Sequence, residues 1–272
     1  MSAPGLHAEK TPSDLFLTSM KKIISTFILG IALLGNAGAQ EAVLPDMRVG
    51  EHLVYKITWL SIPVGTGQVW VKEKTELHGR KVFHVVARIE TNRVLRTLFP
   101  LHDEIQSWID AERFESLQFE KNVKHSKTKA HERVVFDSQK RKAHFESFTT
   151  GHKKEFDVAA PAHDFLSAFF WVRRQNLIAG ESITTVISGD QKDWHLTAKV
   201  LAKEVIKSGN EKVNTLVVEA ATSLPAEKKH WKPVLYLADD AWRTPVRIKH
   251  KAPFGHVVGT LQRSTQKSLH NN

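Results

Sequence analysis

The chain has 272 residues, of which 41% are hydrophobic and 25% are charged, a composition typical of folded globular proteins and not of disordered or collagen-like chains. It contains no cysteine, which excludes disulfides, thiolate metal sites, iron–sulfur clusters and cysteine nucleophiles. The formal net charge of +10 favours contact with anionic surfaces but does not specify one.

The first predicted element is an export signal. Met20-Lys21-Lys22 is cationic, residues 23–34 are almost continuously apolar, and the small residues Ala37-Gly38-Ala39 follow. This order is typical of a secretory signal peptide, and the apolar segment is shorter than the roughly 20 residues that a membrane-spanning helix needs. We therefore predict cleavage after Ala39 and a soluble periplasmic product. A buried helix or a membrane anchor is the alternative.

Residues 1–19 fit no signal-peptide pattern. We interpret Met20 as the true initiator and residues 1–19 as a mis-called extension of the gene. The predicted organisation is therefore an extension over 1–19, a signal peptide over 20–39 and a single β-rich domain over 40–272.

From Glu51 onward the hydrophobic residues alternate with a period of two. The first such run contains Leu53, Tyr55, Ile57 and Trp59. The alternation recurs in four later segments, 83–89, 194–200, 213–217 and 246–248. Because it buries one face of a sheet and leaves the other in water, it is typical of antiparallel strands. Turn-forming residues between the runs predict roughly a dozen strands in a barrel or a strongly curved sheet.

One segment, Asp164–Arg174, breaks the alternation. Asp164 is a suitable helix N-cap, two arginines end the segment, and apolar side chains surround it on all sides. A helix that is apolar all round must be buried, so we predict that it lies against the concave face of the sheet. The predicted fold is all-β, with a mainly antiparallel, barrel-like or strongly curved sheet and one buried central helix.

Three motifs are spread over nearly all of the mature chain. They are Gly50-Glu51-x-Leu53-x-Tyr55-x-Ile57-x-Trp59 with Ile62-Pro63-Val64-Gly65, Asp164-x-Leu166-Ser167-Ala168-Phe169-x-x-Val172-Arg173, and Asp239-Asp240-x-x-Arg243-x-Pro245-Val246 with Gly255 and Gly259. Together they resemble the opening strand, central helix and closing hairpin of an exported bacterial family, domain of unknown function 3108. The resemblance implies an envelope-resident antiparallel β protein and transfers no catalytic residue. The basic, histidine-rich section 121–153 departs from the family pattern.

Catalytic and metal signatures are weak. The sequence has no GxSxG, HExxH, P-loop or GxGxxG motif. Among its 15 histidines, the best metal candidates are His102-Asp103-Glu104, the His125/His131 pair and His163-Asp164. A metal site needs three or four converging ligands, whereas these histidines are scattered along the chain. We predict no enzyme activity, no cofactor and no metal, and interpret His163-Asp164 as a helix cap.

Aromatic side chains suggest a ligand site instead. A curved sheet with a helix against it can leave an apolar cavity, and aromatic-lined pockets suit acyl chains or sugars. The predicted lining residues are Trp59, Phe165, Phe169, Trp171 and Arg173. For Arg173 we expect a structural role, paired with Asp239 or a helix carbonyl, with a ligand clamp as the alternative. Asp239-Asp240 is interpreted as a solvated β-turn.

The segment from Lys121 to Lys142 concentrates positive charge. Its basic residues are Lys121, Lys124, Lys127, Lys129, Arg133, Lys140, Arg141 and Lys142. The segment is interpreted as a solvated hairpin, or alternatively as a contact with anionic lipid headgroups or lipopolysaccharide. Nucleic acid is not expected as a partner, because export removes the chain from it and no known binding motif is present.

The favoured function is a non-catalytic periplasmic protein that binds a lipid or another amphiphile in a β-cavity and serves envelope maintenance. The first alternative is a structural or interaction protein of the cell envelope. The second is a hydrolase of cell-wall polymers using carboxylates such as Asp103, Glu104 and Asp240, which requires two of them within about 10 Å in one cleft.

Overall fold

The computed structural model describes most of the predicted domain, namely residues 46–125, 129–189, 191–224, 232–252 and 254–265. The predicted extension at 1–19, the signal peptide at 20–39 and Lys127 lie outside the described residues. Within the described ranges, no helix is both long and apolar enough to span a bilayer.

The described residues form fourteen strands and two short helices. The strands are β1 His52–Trp59, β2 Ile62–Leu77, β3 Arg80–Thr91, β4 Leu101–Asp110, β5 Ser116–His125, β6 Lys129–Asp137, β7 Lys142–Ser147, β8 Lys153–Asp157, β9 Ser182–Gly189, β10 Lys192–Ser208, β11 Glu211–Ser223, β12 Val234–Ala238, β13 Pro245–Lys251 and β14 His256–Thr265. The helices are α1 Arg93–Arg96 and α2 Phe165–Arg173. The predicted class, mainly antiparallel β with a buried central helix, is confirmed.

All fourteen strands belong to one sheet, in the order β8-β7-β6-β5-β4-β3-β2-β1-β14-β13-β12-β11-β10-β9. Strands that are consecutive in the sequence pair with each other, except β8 and β9, and β1 also pairs with β14. The first and last strands therefore lie side by side in the middle of the sheet. The two edges are β8 and β9, so the sheet is not closed by a continuous ladder.

The segment between β8 and α2 crosses from β5 to the β9 edge of the sheet. The amide of Ala159 donates to Asp193 Oδ2 at 2.9 Å, and the amide of Ser188 donates to the carbonyl of His163 at 2.7 Å. His163 also forms an isolated parallel bridge with Ile187 of β9. On the other side, the amide of Ser116 donates to the carbonyl of Ala162 at 2.9 Å. This segment thus connects β5 to β9 and β10 across the gap.

The local sequence explains the strands and their turns. In β1 the predicted inward set Leu53, Tyr55, Ile57 and Trp59 is buried, whereas the residues between them are half-buried or exposed. The β2–β3 hairpin turns through His78-Gly79, where both residues have a positive φ, +51° and +75°. Two successive left-handed residues form the turn whose twist matches paired strands, and glycine adopts this conformation without steric cost.

Two groups of buried side chains fill the inner face of the sheet. The larger group combines residues of α2, including Phe165, Leu166 and Phe170, with inward residues from strands on both sides of the sheet. The smaller group lies at the opposite end of β1, around Ile57 and Trp59, where α1 covers it. The interior is therefore occupied by the chain's own side chains.

Candidate functional site

The N-terminus of α2 is fixed by Asp164, as predicted. Its Oδ1 accepts from the amides of Leu166 (2.7 Å) and Ser167 (3.0 Å), which satisfies the free N–H groups of the first turn. Its Oδ2 accepts from the hydroxyls of Ser107 on β4 and Ser116 on β5, each at 2.5 Å. Complete burial raises the pKa of Asp164 above its usual value, although these hydrogen bonds act in the opposite direction. The cap thus ties the helix to two strands.

His163, directly before the cap, lies in the interior beside α2. Its side chain is completely buried, and its ring lies 5.7 Å from the ring of Trp171. Burial lowers the pKa of His163 to about 4. The imidazole is therefore neutral at physiological pH.

The C-terminal end of α2 carries the principal buried charge pair. Arg173 donates from Nη1 and Nη2 to the two carboxylate oxygens of Glu51, at 2.9 and 2.8 Å. Its Nη2 also donates to the carbonyl of Trp242 at 3.1 Å. Only 6% of the Arg173 side chain and 3% of the Glu51 side chain are exposed. The arrangement is a bidentate, charge-assisted pair.

The prediction that Arg173 pairs with Asp239 or a helix carbonyl was wrong. Asp239 instead accepts from Lys203 Nζ and Arg243 Nη1, both at 2.7 Å, outside the buried pair. Asp240 accepts from the amides of Trp242 and Arg243, consistent with the predicted turn. The prediction failed because the end of α2 lies beside Glu51, the residue before β1. The two residues are far apart in the sequence and come together only in the folded sheet.

A second arginine extends this pair. Arg48 donates to Glu51 Oε1 at 3.2 Å, and its guanidinium lies 3.9 Å from the ring centroid of Trp242. Burial by itself would raise the pKa of Glu51, but Arg173 and Arg48 outweigh it and hold that pKa below its usual value. The cleft between these residues has a volume of about 30 Å³, room for about one water molecule. It is too small to hold an acyl chain.

The residues predicted to line a ligand cavity contact other parts of the protein. Phe165 lies against Gly189 and Phe119, with its ring centroid 6.2 Å from that of Phe119. Phe169 packs edge-on against Phe170 at 5.4 Å, and Trp171 is half-buried beside His163.

The structure does not bring Trp59 to this group. Trp59 is buried in the smaller core group and donates from Nε1 to the carbonyl of Phe254 at 2.7 Å. Glu51, the partner of α2, lies at the other end of β1, about 25 Å away at the usual strand rise. The five predicted residues therefore form no common pocket.

The basic residues of the segment 121–142 are distributed over three strands and two turns. β6 is nine residues long and spans about 25 Å. The turns before and after it therefore lie at opposite ends of the strands. Exposed Lys124 and Lys129 flank the β5–β6 turn, whereas Lys140 and Arg141 lie in the β6–β7 turn.

Most of the described basic side chains in this segment also have acidic partners. Lys121 pairs with Glu132 at 2.8 Å and Arg133 with Glu120 at 2.7 Å. Lys140 pairs with Asp137 at 2.8 Å, and Lys142 pairs with Glu155 and Asp157 at 3.3 and 2.9 Å. The segment is thus a charge-paired sheet region rather than a uniform basic stripe.

The predicted metal and hydrolase carboxylates are separated. Asp103 faces inward and contacts His125 Nε2 at 2.8 Å, while Glu104 faces outward and accepts from Arg88. Adjacent strand residues point to opposite faces, and Asp240 is in the β12–β13 turn. Among the described residues, no three His, Cys, Asp or Glu side chains form a metal-binding group.

Two shallow clefts lie beside β5 to β8. Their volumes are about 520 and 420 Å³, and they share Val135 and His144. These volumes are in the range of small-molecule sites, which are usually lined by apolar side chains. Here charged side chains such as Arg133, Glu146 and Lys153 contribute much of the lining of the smaller cleft.

Sequence reasoning missed two sets of residues. The first is Glu51, which the sequence analysis includes only as part of a strand motif and whose partner Arg173 is distant in the chain. Five exposed apolar residues near α1 were also missed. For four of them, the signal is the pair of turn-like stretches Leu60-Ser61-Ile62 and Val94-Leu95-Arg96-Thr97-Leu98, in which large apolar residues occur outside the alternating pattern.

The fold and these contacts define a class of protein, an open barrel-like antiparallel sheet wrapped around a buried helix. The chain belongs to a family described as a protein of unknown function (DUF3108), whose model matches residues 54–262. The resemblance noted in the sequence is confirmed.

One solved structure supports the fold. The chain is similar to a beta-barrel-like protein of domain of unknown function DUF1849 from Brucella abortus, with a TM-score of 0.56, 10% identity, and coverage of 80% of this chain and 98% of that one. It also matches a candidate lipoprotein from Parabacteroides distasonis with a TM-score of 0.35, 11% identity, and coverage of 82% and 97%. No curated protein matches.

Proposed function

We propose that the mature chain is a non-catalytic interaction protein of the cell envelope that acts through its outer surface. The observation that carries this proposal is the filled interior, where α2 occupies the space that a ligand of a curved sheet would use. The tight contact of Phe165 with Gly189 supports it, because an added Cβ at Gly189 would lie 2.5 Å from the phenyl ring. Packing this tight leaves no room for a further molecule between Phe165 and Gly189.

Two further observations support the proposal. The signal peptide predicted at residues 20–39 favours export to the periplasm. The carboxylates expected for a hydrolase, Asp103, Glu104 and Asp240, lie on different faces and in different elements, which favours a non-catalytic role.

Binding of an amphiphile is the second candidate function. It is favoured by the two clefts beside β5 to β8, since their volumes of about 520 and 420 Å³ would accept part of an acyl chain. Their shallow, partly charged lining makes this candidate weaker than the first.

Native mass spectrometry and thermal unfolding with palmitate test the two candidates. We expect the mass of the polypeptide alone after mild purification, and an unchanged Tm with palmitate. The matched variant is Val135→Glu, which puts a carboxylate into both clefts. A rise in Tm that this variant abolishes would support the cleft-binding candidate. Uptake that survives in Val135→Glu would indicate a ligand inside the protein and would overturn the proposal.

A further inference from the structure

Five large apolar side chains are exposed at one end of the sheet. They come from the β1–β2 hairpin, the α1 segment and the β13–β14 turn, and we name them the apolar rim. The apolar rim consists of Leu60 (54% exposed), Ile62 (63%), Val94 (80%), Leu98 (70%) and Phe254 (55%). Isolated exposed apolar residues are ordinary, but a group drawn from three adjacent turns marks an interaction surface.

Direct contacts hold these three turns together. Asn92 donates from Nδ2 to the carbonyl of Pro63 at 2.6 Å, and its amide donates to the carbonyl of Val64 at 3.0 Å. Leu60 lies against Gly255, where an added Cβ would come within 2.3 Å of the leucine Cδ2. The apolar rim is therefore a single supported surface.

The α1 segment has apolar residues on both of its sides. Leu95 and Phe99 pack against the smaller core group, which includes Trp59 and Val257. Val94 and Leu98 are four residues apart and face away from that core. Covering the core explains why Leu95 and Phe99 are apolar, but it does not explain why Val94 and Leu98 are. The outer pair is available for a partner.

The charge around the apolar rim is mainly positive. Over the described residues 57–66, 89–102, 249–252 and 254–258, the basic side chains are Arg93, Arg96, Lys249 and Lys251, and the one acidic side chain is Glu90. Arg96 lies 3.9 Å from Glu90. The neighbouring β5–β6 turn adds exposed Lys124 and Lys129, because His125 pairs with Leu101 directly after the α1 segment.

We propose that the apolar rim docks onto an anionic lipid surface. Protruding apolar side chains enter the boundary between headgroups and acyl chains, while surrounding arginines and lysines contact anionic headgroups. This combination of apolar and positive residues complements a membrane better than a protein partner, whose interface needs acidic residues to match the charge. The inference rests on the proposed function, since it identifies the partner of a protein that acts through its outer surface.

Vesicle co-sedimentation of the mature protein tests the proposal. The probes are vesicles of phosphatidylcholine alone and of phosphatidylcholine mixed with phosphatidylglycerol. We expect stronger binding to the anionic vesicles, with about a fivefold loss for each basic side chain removed, as in Arg93→Gln and Lys251→Gln. Added salt should weaken the binding.

The double variant Val94→Ser/Leu98→Ser removes the outer apolar pair of α1. We expect it to lose on the order of tenfold in affinity for anionic vesicles. The matched control is Val205→Ser/Leu201→Ser, which makes the same exchanges at exposed positions on β10 and should bind like the unmodified protein. Far-UV circular dichroism verifies that both variants are folded.

The unmodified protein failing to bind anionic vesicles would overturn the proposal, as would equal binding by the two double variants. Self-association that Val94→Ser/Leu98→Ser abolishes, without vesicle binding, would identify a second copy as the partner and also overturn it. None of these results involves palmitate uptake, so failure of the lipid-docking inference is distinguishable from failure of the proposed function.

Discussion

Arg173 and Glu51 are 122 residues apart in the chain and are joined by two hydrogen bonds of 2.9 and 2.8 Å in the interior. Arg173 ends the buried helix, and Glu51 directly precedes the strand at which the first and last parts of the sheet meet. The guanidinium also lies 4.9 Å from the ring centroid of Phe170. This pair therefore fixes the helix relative to the centre of the sheet.

We predict that Glu51→Gln strongly destabilises the protein. The amide preserves the size of the side chain but leaves the guanidinium of Arg173 buried without a counter-charge, which costs about 3–5 kcal/mol. The free energy of unfolding, measured by urea denaturation, checks this. Lys153→Gln is the control, because it breaks the exposed Lys153–Glu146 pair (2.7 Å) and should cost less than about 1 kcal/mol.

The double variant Glu51→Leu/Arg173→Leu distinguishes charge from packing. Replacing both partners removes the unpaired charge, so it should be less destabilising than Glu51→Gln. If Glu51→Gln costs as little as Lys153→Gln, the pair does not hold the helix in place.

We predict that the protein loses stability on acidification between pH 6.5 and about 4. Burial lowers the pKa of His163 from 6.5 to about 4, and that of His250 also to about 4. A histidine with a lowered folded-state pKa contributes stability above its unfolded pKa, and this contribution is lost as the pH falls toward the folded value. For the fully buried His163, this proton corresponds to about 1.4 kcal/mol per pH unit. Urea denaturation at several pH values measures the slope.

His163→Leu should reduce the number of protons taken up on unfolding by about one, and with it the slope of stability against pH. The variant has no imidazole to become charged on unfolding. A slope for His163→Leu equal to that of the unmodified protein would show that His163 is not kept neutral by the fold. Below pH 4.5 a separate loss of folding stability should begin, because the pKa of Glu51 is lowered in the folded state.

We predict that Gly189→Ala is destabilising. The added methyl group would lie 2.5 and 2.7 Å from two carbons of the Phe165 ring, so the phenyl group must move within a filled core. Overpacking of this kind costs about 1–3 kcal/mol. Differential scanning calorimetry should show a lower Tm.

Gly67→Ala is the matched control, since its added carbon would lie 3.4 Å from Ile57 Cδ1, at ordinary contact distance. Phe165→Leu combined with Gly189→Ala should recover part of the lost stability. A Tm for Gly189→Ala equal to that of Gly67→Ala would mean that space is available beside α2.

We predict that the exported protein begins at Gln40. Cleavage after Ala39 would follow from the small residues at positions 37–39, which signal peptidases require. Intact-mass measurement of the protein from the periplasmic fraction checks this. Replacing Ala39 with Arg should block cleavage. A mature mass that includes any residue before Met20 would contradict both the signal peptide and the interpretation of residues 1–19.

The strands and the helix could be predicted because their causes are local. The alternation of Leu53, Tyr55, Ile57 and Trp59 places one side of a strand inward regardless of its partner. Asp164 caps α2 through amides only two and three residues away. A sequence contains this information directly, since these contacts lie within a few residues.

The partner of Arg173 could not be predicted in this way. Many acidic residues are compatible with one arginine, and Asp239 was an equally reasonable partner until the strand order placed Glu51 beside the end of α2. The same limit applies to the basic segment, in which Lys121, Arg133 and Lys142 pair with Glu132, with Glu120 and with two residues of β8. Pairing between distant segments depends on the sheet order, which local patterns do not specify.

Composition and periodicity were enough to predict an antiparallel sheet and a buried helix over Asp164–Arg174, because each depends on residues close together in the chain. The filled interior and the exposed positions of Val94 and Leu98 emerged only in three dimensions. In the sequence, an apolar residue in a short turn looks the same whether its side chain faces the core or the solvent. Its environment is set by long-range packing, here by which side of α1 covers Trp59.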